Sequence, residues 1–201
     1  MTQPTPQARQ AELQALLARS AHGRTIYLDI ETTGLSALDG DELLEIALID
    51  DAGLVLLDSL VRPVQRTGWF VAQEIHGIAP ADVAEAPVFD SLLPRLLDEI
   101  ECTDTLVIYN ADFDQSFLPD PVRSIAAGKA VCAMQAFALH KGTWNERRQA
   151  YSWCKLGVAA TFARHRWDGR AHRALADAMA ARSVWRWLRD EIADGCPVRT
   201  A

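Results

Sequence analysis

Residues 25–34 read TIYLDIETTG, and this stretch is the starting point for the fold prediction. Apolar and polar side chains alternate along TIYLDIE, which is the two-residue period of a β-strand. Asp29 and Glu31 therefore project from one face of that strand, roughly 6.5–7 Å apart. Thr-Thr-Gly follows at once and indicates a turn with exposed backbone N–H groups. The stretch predicts a strand that ends in a pair of carboxylates able to share bound cations, although acidic pairs also occur at strand ends on ordinary surfaces.

The rest of the chain divides into short strands and amphipathic helices. Runs of apolar residues with period two predict strands, and apolar residues at three- and four-residue spacing predict helices. Strands come first and then alternate with helices, which indicates a mixed α/β layered fold. The predicted strands after the first cover residues 43–50, 54–63 and 105–110, with a fifth short strand or a helix start within 130–141. The predicted helices cover residues 5–20, 87–101, 152–165 and 173–193.

Length and composition are typical of one globular domain. The chain has 201 residues, of which 49% are hydrophobic and 23% are charged. We find no run approaching the ~18 apolar residues of a membrane span and no signal-peptide pattern at the start. The four cysteines include no C-x-x-C pair, so the pattern suggests neither a zinc site nor a disulfide framework. We expect a cytoplasmic protein that does not associate with membranes.

The charge is distributed unevenly along the chain. The net charge is -7, yet residues 141–189 contain eleven Lys and Arg residues, three acidic residues and five of the six tryptophans. Such a segment predicts a local anion-binding face. The alternative is a solvated basic helix whose tryptophans pack inward. Trp144, Trp153 and Trp167 are candidate stacking platforms for nucleic-acid bases.

Two further clusters contain residues that could bind metal or transfer protons. Asn110, Asp112 and Asp114 follow the predicted strand 105–110 at a helix start, where one aspartate could be only an N-cap. His172 and Asp177 are five residues apart. Five residues on one helix correspond to a rotation of about 140°, so we expect His172 in the loop before the helix and Asp177 on its second turn.

Together, D-x-E-T-T-G, N-x-x-F-D and H-x-x-x-x-D resemble the three motifs of the DEDDh (DnaQ-like) 3′-to-5′ exonucleases. The resemblance places Asp29 and Glu31 on the first motif, Asp114 on the second, and His172 and Asp177 on the third. Residues 75–78, Ile-His-Gly-Ile, match a further family segment. The resemblance covers about residues 24–190 and implies the RNase H-like fold, with a five-stranded mixed sheet flanked by helices.

On this basis the chain divides into three parts. Residues 1–22 form an N-terminal helical extension, residues 23–192 the exonuclease domain and residues 193–201 a short C-terminal tail. Two positions depart from the family pattern or vary within it. Tyr109 stands where the family often has histidine. Asp112 falls on a variable position, which suggests a helix cap or a residue that lies outside the metal ligands, and not a ligand.

Four converging carboxylates require cations. Two carboxylates about 4 Å apart repel by about 4 kcal/mol at an effective dielectric constant of 20. Oxygen ligands favour two divalent ions, Mg²⁺ or Mn²⁺. We expect Asp29, Glu31 and Asp177 around one ion, with Asp29 bridging to the second and Asp114 acting through the water around that second ion. His172 would take a proton from the attacking water, and a nucleoside 5′-monophosphate would leave.

The resemblance also implies contacts to the terminal nucleotide. The main chain at Thr32 and Thr33 would hold its 3′-OH, and Leu35 would wedge against its base. His76 and Asn110 are further predicted contacts. Leu35 could instead be a core residue, and His76 could merely satisfy backbone groups.

Several substrates and functions remain open at this point. The main hypothesis is an exonuclease that acts on 3′ ends of single-stranded DNA, either independently or with a transient polymerase or repair partner. A second hypothesis is an exoribonuclease that trims short RNA or RNA 3′ ends, since recognition of the 2′-OH decides between the two. A third is a non-catalytic nucleic-acid-binding or polymerase-associated module.

Overall fold

The computed structural model describes residues 3–193, which are built around a five-stranded mixed sheet. Its strands are β1 Thr25–Thr32, β2 Leu43–Asp50, β3 Val55–Leu60, β4 Thr105–Ile108 and β5 Ala130–Cys132. They lie in the order β3-β2-β1-β4-β5. β2 is antiparallel to both β1 and β3, whereas β1, β4 and β5 are mutually parallel. The predicted five-stranded mixed sheet is confirmed.

Helices cover both faces of this sheet. On one face, α3 and α5 pack on Leu28 and Ile108. On the other, α1, α6, α7 and α8 pack around Tyr27 and Val107. The helices are α1 Pro6–Ala18, α2 Phe70–His76, α3 Phe89–Glu101, α4 Ala111–Phe117, α5 Asp120–Ala126, α6 Ala133–Lys141, α7 Leu156–Phe162 and α8 Ala174–Ala193. None of these described helices combines the length and apolar character that crossing a bilayer requires.

Strand β1 is buried on both faces over its first half. The alternating pattern predicts an apolar face and a polar face, and Tyr27 belongs to the polar one. In the structure Tyr27 is fully buried, and its hydroxyl donates a hydrogen bond to Asp51 at 2.6 Å. Helix α8 covers this face, so the polar tip of Tyr27 finds a partner at the edge of the core. Only toward its end, at Asp29 and Glu31, does β1 become partly exposed.

The N-terminal helix α1 packs into the same core as α8. Leu13 and Leu17 of α1 are buried beside Trp185. The indole N–H of Trp185 donates a hydrogen bond of 2.8 Å to the hydroxyl of Ser20, just after α1. The predicted tail at 193–201, with Cys196, lies outside the described residues except for Ala193 at the end of α8.

Several element boundaries differ from the predictions. The strand predicted at 54–63 covers only Val55–Leu60, and the one predicted at 105–110 ends at Ile108 because Asn110 is the N-cap of α4. Residues 130–141 contain both alternatives, β5 and then α6. Pro94 lies within α3 without ending it, and its side chain is exposed.

The helix predicted at 152–165 is shorter than expected. It covers only α7, Leu156–Phe162, because the preceding residues are extended. Sequence analysis missed a small hairpin before it, made of β6 Trp144–Asn145 and β7 Ala150–Tyr151. The N–H of Ser152 donates to the carbonyl of Thr143 at 2.8 Å, which continues the hairpin pairing into the segment predicted as helix.

Candidate active site

A cavity of about 730 Å³ opens at the edge of the sheet where β1 and β4 end. Because these two strands are parallel neighbours, their carboxyl ends meet at one edge. β1 carries two acidic side chains to this edge, α4 follows directly after β4, and α8 begins beside them. The cavity wall includes six residues predicted for the site, namely Asp29, Glu31, Asn110, Asp114, His172 and Asp177.

Three of the carboxylates form a cluster suited to a cation. One side-chain oxygen from each of Asp29, Glu31 and Asp177 lies within 4.8 Å of the other two. Asp114 is buried on the first turn of α4 and interacts electrostatically with Asp29 and Asp177. Oxygen-only donors of this kind suit Mg²⁺ or Mn²⁺. The residues present therefore fit a divalent metal centre.

The electrostatics of the cluster show why it needs a cation. Burial, as the largest cause, and the neighbouring carboxylates of Asp177 and Glu45 together raise the pKa of Glu31 to about 8. Burial likewise raises the pKa of Asp114 to about 8. The pKa of Asp29 is well above its ordinary value because of burial and of the charge on Asp114. The folded protein thus holds protons on these groups that a divalent ion would displace.

His172 and Asp177 are joined by a backbone contact. His172 is exposed and lies in the segment before α8, as predicted, with a left-handed backbone φ of 62°. Asp177 lies on the first turn of α8 and not on the predicted second turn, because α8 begins at Ala174, one residue later than predicted. The N–H of His172 donates a hydrogen bond of 3.1 Å to Oδ1 of Asp177. Burial raises the pKa of Asp177, whereas this hydrogen bond opposes the shift. The carboxylate of Asp177 therefore also fixes the backbone that presents the imidazole.

Glu45 is a residue of this site that sequence analysis missed. It is buried on β2, directly opposite Glu31 in the strand pairing. Its carboxylate accepts hydrogen bonds from Nε of Arg173 at 3.0 Å, from Nη2 of the same side chain, and from the N–H of Ala174 at 2.8 Å. A lone glutamate inside the apolar run LLEIALID is the signal that could have revealed it.

The segment after β1 makes its own internal contacts. Thr32 and Thr33 are both buried. The hydroxyl of Thr32 donates to the carbonyl of Gly34 at 2.6 Å, and the N–H of Thr33 donates to the carbonyl of Glu42 at 2.8 Å. Leu35 is 84% exposed and does not belong to the core. The structure thus leaves the side chain of Leu35 free to contact a ligand, while the N–H of Thr33 already has a partner.

His76 lies at the end of α2 and is buried. Its Nδ1 accepts a hydrogen bond from the N–H of Ile78 at 2.9 Å. Burial lowers the pKa of the imidazole, and an interaction with the backbone of Thr32 acts in the opposite direction. His76 therefore links the end of α2 to the end of β1. His76, Thr32, Thr33 and Leu35 lie outside the cavity wall, in contrast to Asn110.

Asp112 and Tyr109, the two positions near the second motif that vary or depart from the family pattern, have different surroundings. Asp112 is exposed on the first turn of α4, in contrast to the buried Asp114. The prediction that an aspartate caps this helix is wrong, because the helix begins at Ala111 and its N-cap is Asn110. Tyr109 donates a hydrogen bond from its hydroxyl to the carbonyl of Cys154 at 2.9 Å, which connects the end of β4 to the segment before α7.

The basic and tryptophan-rich segment 141–189 contributes the opposite wall. Trp153, Lys155 and Trp167 line the cavity, and the ring of Trp153 is 59% exposed. Trp144 lies in a different cavity. Trp185 is fully buried, as in the alternative in which the tryptophans of the last helix pack inward.

Comparison with known proteins gives a consistent set of similarities. The RNase_T family model, described as an exonuclease, matches residues 26–184. An uncharacterized exonuclease, CP81 of Escherichia phage 186, is 34% identical over 165 residues, which cover 76% of this chain and 81% of that protein. The DNA polymerase III subunit epsilon of Rickettsia typhi is 36% identical over 99 residues, which cover 47% of this chain and 42% of that subunit.

Solved structures show the same fold. Exonuclease X in complex with 5′ overhanging duplex DNA superposes with a TM-score of 0.58 at 24% identity, covering 87% of this chain and 95% of that one. The nuclease domain of 3′hExo, a DEDDh family member bound to rAMP, superposes with a TM-score of 0.58 at 20% identity, covering 90% and 96% of the two chains.

Proposed function

This chain belongs to the DnaQ-like RNase T family and is a 3′-to-5′ exonuclease, and we propose that it removes nucleoside 5′-monophosphates from 3′ ends of single-stranded DNA. The observation that carries this proposal is the convergence of four carboxylates and one exposed imidazole on a single cavity. The buried carboxylates have raised pKa values, which is the electrostatic condition expected of a site built to bind divalent cations.

Asp29, Glu31 and Asp177 would hold one divalent ion, Asp29 would also contribute to a second, and Asp114 would act through the water around that second ion. The grouping of one oxygen each from Asp29, Glu31 and Asp177 within 4.8 Å of one another supports the first of these assignments. Two such ions, Mg²⁺ or Mn²⁺, supply positive charge that stabilises the attacking and leaving oxygens of an in-line phosphoryl displacement.

His172 would act as the general base. Its side chain is exposed at the cavity wall, so it can reach water and substrate. The hydrogen bond from its backbone N–H to Asp177 fixes the position from which the ring acts. An imidazole nitrogen of His172 would accept the proton of the attacking water and later release it to solvent.

The terminal nucleotide would lie against the segment that follows β1. Leu35 would wedge against its base, which agrees with the high exposure of this side chain. The main chain at Thr32 and Thr33 and the side chains of His76 and Asn110 complete the proposed contacts. Since the N–H of Thr33 already bonds to Glu42, the backbone contact would come from a neighbouring group of this segment.

DNA is the favoured polymer because of the relatives with higher sequence identity. DNA polymerase III epsilon subunits align at 31–36% identity, and Exonuclease X was solved with DNA. These epsilon matches also support a polymerase or repair protein as a partner. The alternative is an exoribonuclease, which is favoured by neighbours described with rAMP or with a histone mRNA stem-loop at 20% and 16% identity.

The deciding experiment uses 5′-labelled single-stranded DNA and RNA of the same base sequence. Each is incubated with the protein in Mg²⁺, Mn²⁺ or EDTA, and products are separated on a denaturing gel. We expect stepwise shortening from the 3′ end of DNA, faster than that of RNA and abolished by EDTA. Faster shortening of RNA would establish the exoribonuclease alternative. Intact substrates in both metals would leave a non-catalytic binding module as the function.

A further inference from the structure

A second cavity, of about 450 Å³, lies next to the active-site cavity. The hairpin β6–β7 forms one side of it through Trp144, Gln149 and Tyr151, and α1 and α6 form the other. Trp153 belongs to the wall of both cavities. The two cavities are therefore adjacent, with the indole of Trp153 between them. The volume of the second lies within the ~300–1,000 Å³ usual for small-ligand pockets, so it is large enough for a nucleobase.

Trp153 is presented for stacking. Trp153 is 59% exposed, whereas a large aromatic side chain is usually mostly buried. The guanidinium of Arg148 lies over its ring at 5.1 Å from the centroid. This cation–π contact holds one face of the indole in place and brings a positive charge beside it. An exposed aromatic ring next to a guanidinium is the combination that binds a base together with its phosphate.

Three buried polar atoms around the second cavity make no hydrogen bond to any described residue. They are Nε1 of Trp144, the hydroxyl of Tyr151 and Oε1 of Gln149. Together they offer one N–H donor, one carbonyl acceptor and one hydroxyl that serves as either. The three residues line the cavity although these atoms are closed off from it. Nucleobases carry both donors and acceptors on their edges, so an entering base could supply the missing partners once these side chains rotate toward it.

The charge around this entrance suits a polyanion. Arg147, Arg148 and Lys155 are exposed, and within residues 3–193 none of them takes part in a salt bridge. Arg148 and Arg147 lie in the turn of the hairpin, and Lys155 lines the active-site cavity. Lys155 therefore lies in the active-site cavity, and Arg148 lies beside the boundary of the two cavities through its contact with Trp153.

We propose that the nucleotides upstream of the 3′ end pass from the active site over Trp153, one base entering the second cavity, while Arg148 and Lys155 contact the phosphates. This proposal rests on the proposed function and makes it more specific, because only an unpaired strand can place a single base in the cavity. The hairpin that sequence analysis missed thus selects single-stranded polynucleotides.

The test compares a long and a minimal substrate. The long substrate is a 5′-fluorescein oligothymidylate of about twelve nucleotides, used with its RNA counterpart, and the minimal one is thymidine 5′-p-nitrophenyl phosphate, which fills the terminal site alone. For Trp153→Ala and Arg148→Ala, we expect kcat/KM on the long DNA to fall at least about tenfold more than on the minimal ester, equivalent to about 1.4 kcal/mol. Arg95→Ala, an exposed arginine of α3 on the opposite face of the sheet, is the matched control.

An equal fall on both substrates, or no fall on either, would overturn the proposal. Binding of the labelled strand is measured separately by fluorescence anisotropy in EDTA. We expect Trp153→Ala and Arg148→Ala to weaken it about tenfold or more and Arg95→Ala to leave it unchanged. If the wild-type protein hydrolysed neither substrate with Mg²⁺ or Mn²⁺, the proposed function would fail, and the anisotropy comparison would still decide whether the strand follows this route. If Trp153→Ala and Arg148→Ala both bound the strand as tightly as the wild type, the proposed path of the strand over Trp153 would be excluded.

Discussion

The carboxylate of Glu45 on β2 holds the guanidinium of Arg173, the residue next to His172, and accepts the N–H of Ala174 at 2.8 Å. It does so from the position opposite Glu31 in the sheet. One buried acid therefore connects the strand pair that carries the metal-site carboxylates to the start of the helix that carries Asp177. The same contact explains why a buried glutamate is tolerated so close to three other carboxylates.

Replacing Arg173 tests this positioning role. We expect Arg173→Ala to lower kcat by about tenfold or more, with a smaller change in KM, because the start of α8 loses its connection to β2. The free energy of unfolding should fall by about 1–3 kcal/mol, since Glu45 is left buried without its main partner. Arg173→Lys should recover only part of kcat, because an ammonium cannot reproduce the two-point contact.

Arg95→Ala again serves as the control and should change neither kcat nor stability. Steady-state kinetics well below the unfolding temperature give kcat and KM for each variant, and urea titrations give its free energy of unfolding. A lower stability with an unchanged kcat would show that the pair is structural only.

The two aspartates of the second motif should behave differently. Asp114 is buried at the cavity, whereas Asp112 is exposed on the same helix. We expect Asp114→Asn to lower kcat more than about 100-fold, because the amide removes a negative charge from the metal site. Asp112→Asn should retain most of the activity. Release of labelled mononucleotide measures both, and the reverse order of effects would mean that the second motif is assigned to the wrong residue.

His172 is exposed, so its replacement should affect chemistry and not folding. We expect His172→Ala to lower kcat by about 10²–10⁴-fold while the unfolding temperature changes little. His22→Ala, at another exposed histidine, is the control and should leave kcat unchanged. The variant should still bind Mg²⁺, as followed by the metal-induced rise in unfolding temperature. A His172→Ala protein with full kcat would exclude a role for this side chain as the base.

The raised pKa values of Glu31 and Asp114 predict how stability depends on pH without metal. An acid with a higher pKa in the folded than in the unfolded state binds more protons when folded, so the free energy of unfolding falls as pH rises between the two values. For these groups the window extends from about pH 4 to about pH 8. We expect stability in EDTA to fall across it by at least ~1.4 kcal/mol, the equivalent of one pKa unit.

Saturating Mg²⁺ at pH 8 should restore that loss, because the cation neutralises the same carboxylates. Asp114→Asn should flatten the pH dependence in EDTA, whereas Asp112→Asn should leave it as in the wild type. Tryptophan fluorescence in urea titrations measures each curve. Stability that rises with pH throughout this window would contradict the buried acidic cluster.

Leu35 offers a test of the terminal-nucleotide contact. It is 84% exposed, so Leu35→Ala should not lower the unfolding temperature. We expect KM for single-stranded DNA to rise about fivefold to tenfold through loss of packing against the terminal base. Leu38, which lies three residues later and is fully exposed, is the matched control. Equal KM values for Leu35→Ala and Leu38→Ala would place the terminal base elsewhere.

Much of the site was accessible from sequence because its residues sit at ends of regular elements. Strand geometry alone predicts that Asp29 and Glu31, two residues apart, share one face of β1. In the structure both line the same cavity. The five-residue gap between His172 and Asp177 required a break before the helix, and α8 begins at Ala174. Local periodicity and turn chemistry were sufficient for these predictions.

Other features depend on contacts that no local pattern encodes. Glu45 gains its role from Arg173, far away in the chain, and its pairing with Glu31 depends on strand register. The hairpin β6–β7 has strands of two residues each, which are too short to give a hydrophobic period. The rings of Trp144 and Tyr151 pack across it with their centroids 5.1 Å apart. The first feature needs distant parts of the chain to meet, and the second leaves no periodic signal in the sequence.

The hydrogen bond between Trp185 and Ser20 joins the N-terminal segment to α8, the helix that carries Asp177. A shortened protein that began at residue 23 would lose Leu13 and Leu17 from the core and would deprive the Trp185 indole of its acceptor. Helix α8 would then lose packing contacts at Trp185, about two turns after Asp177. A change in the first twenty residues during evolution would accordingly alter how rigidly α8 holds the carboxylate of Asp177.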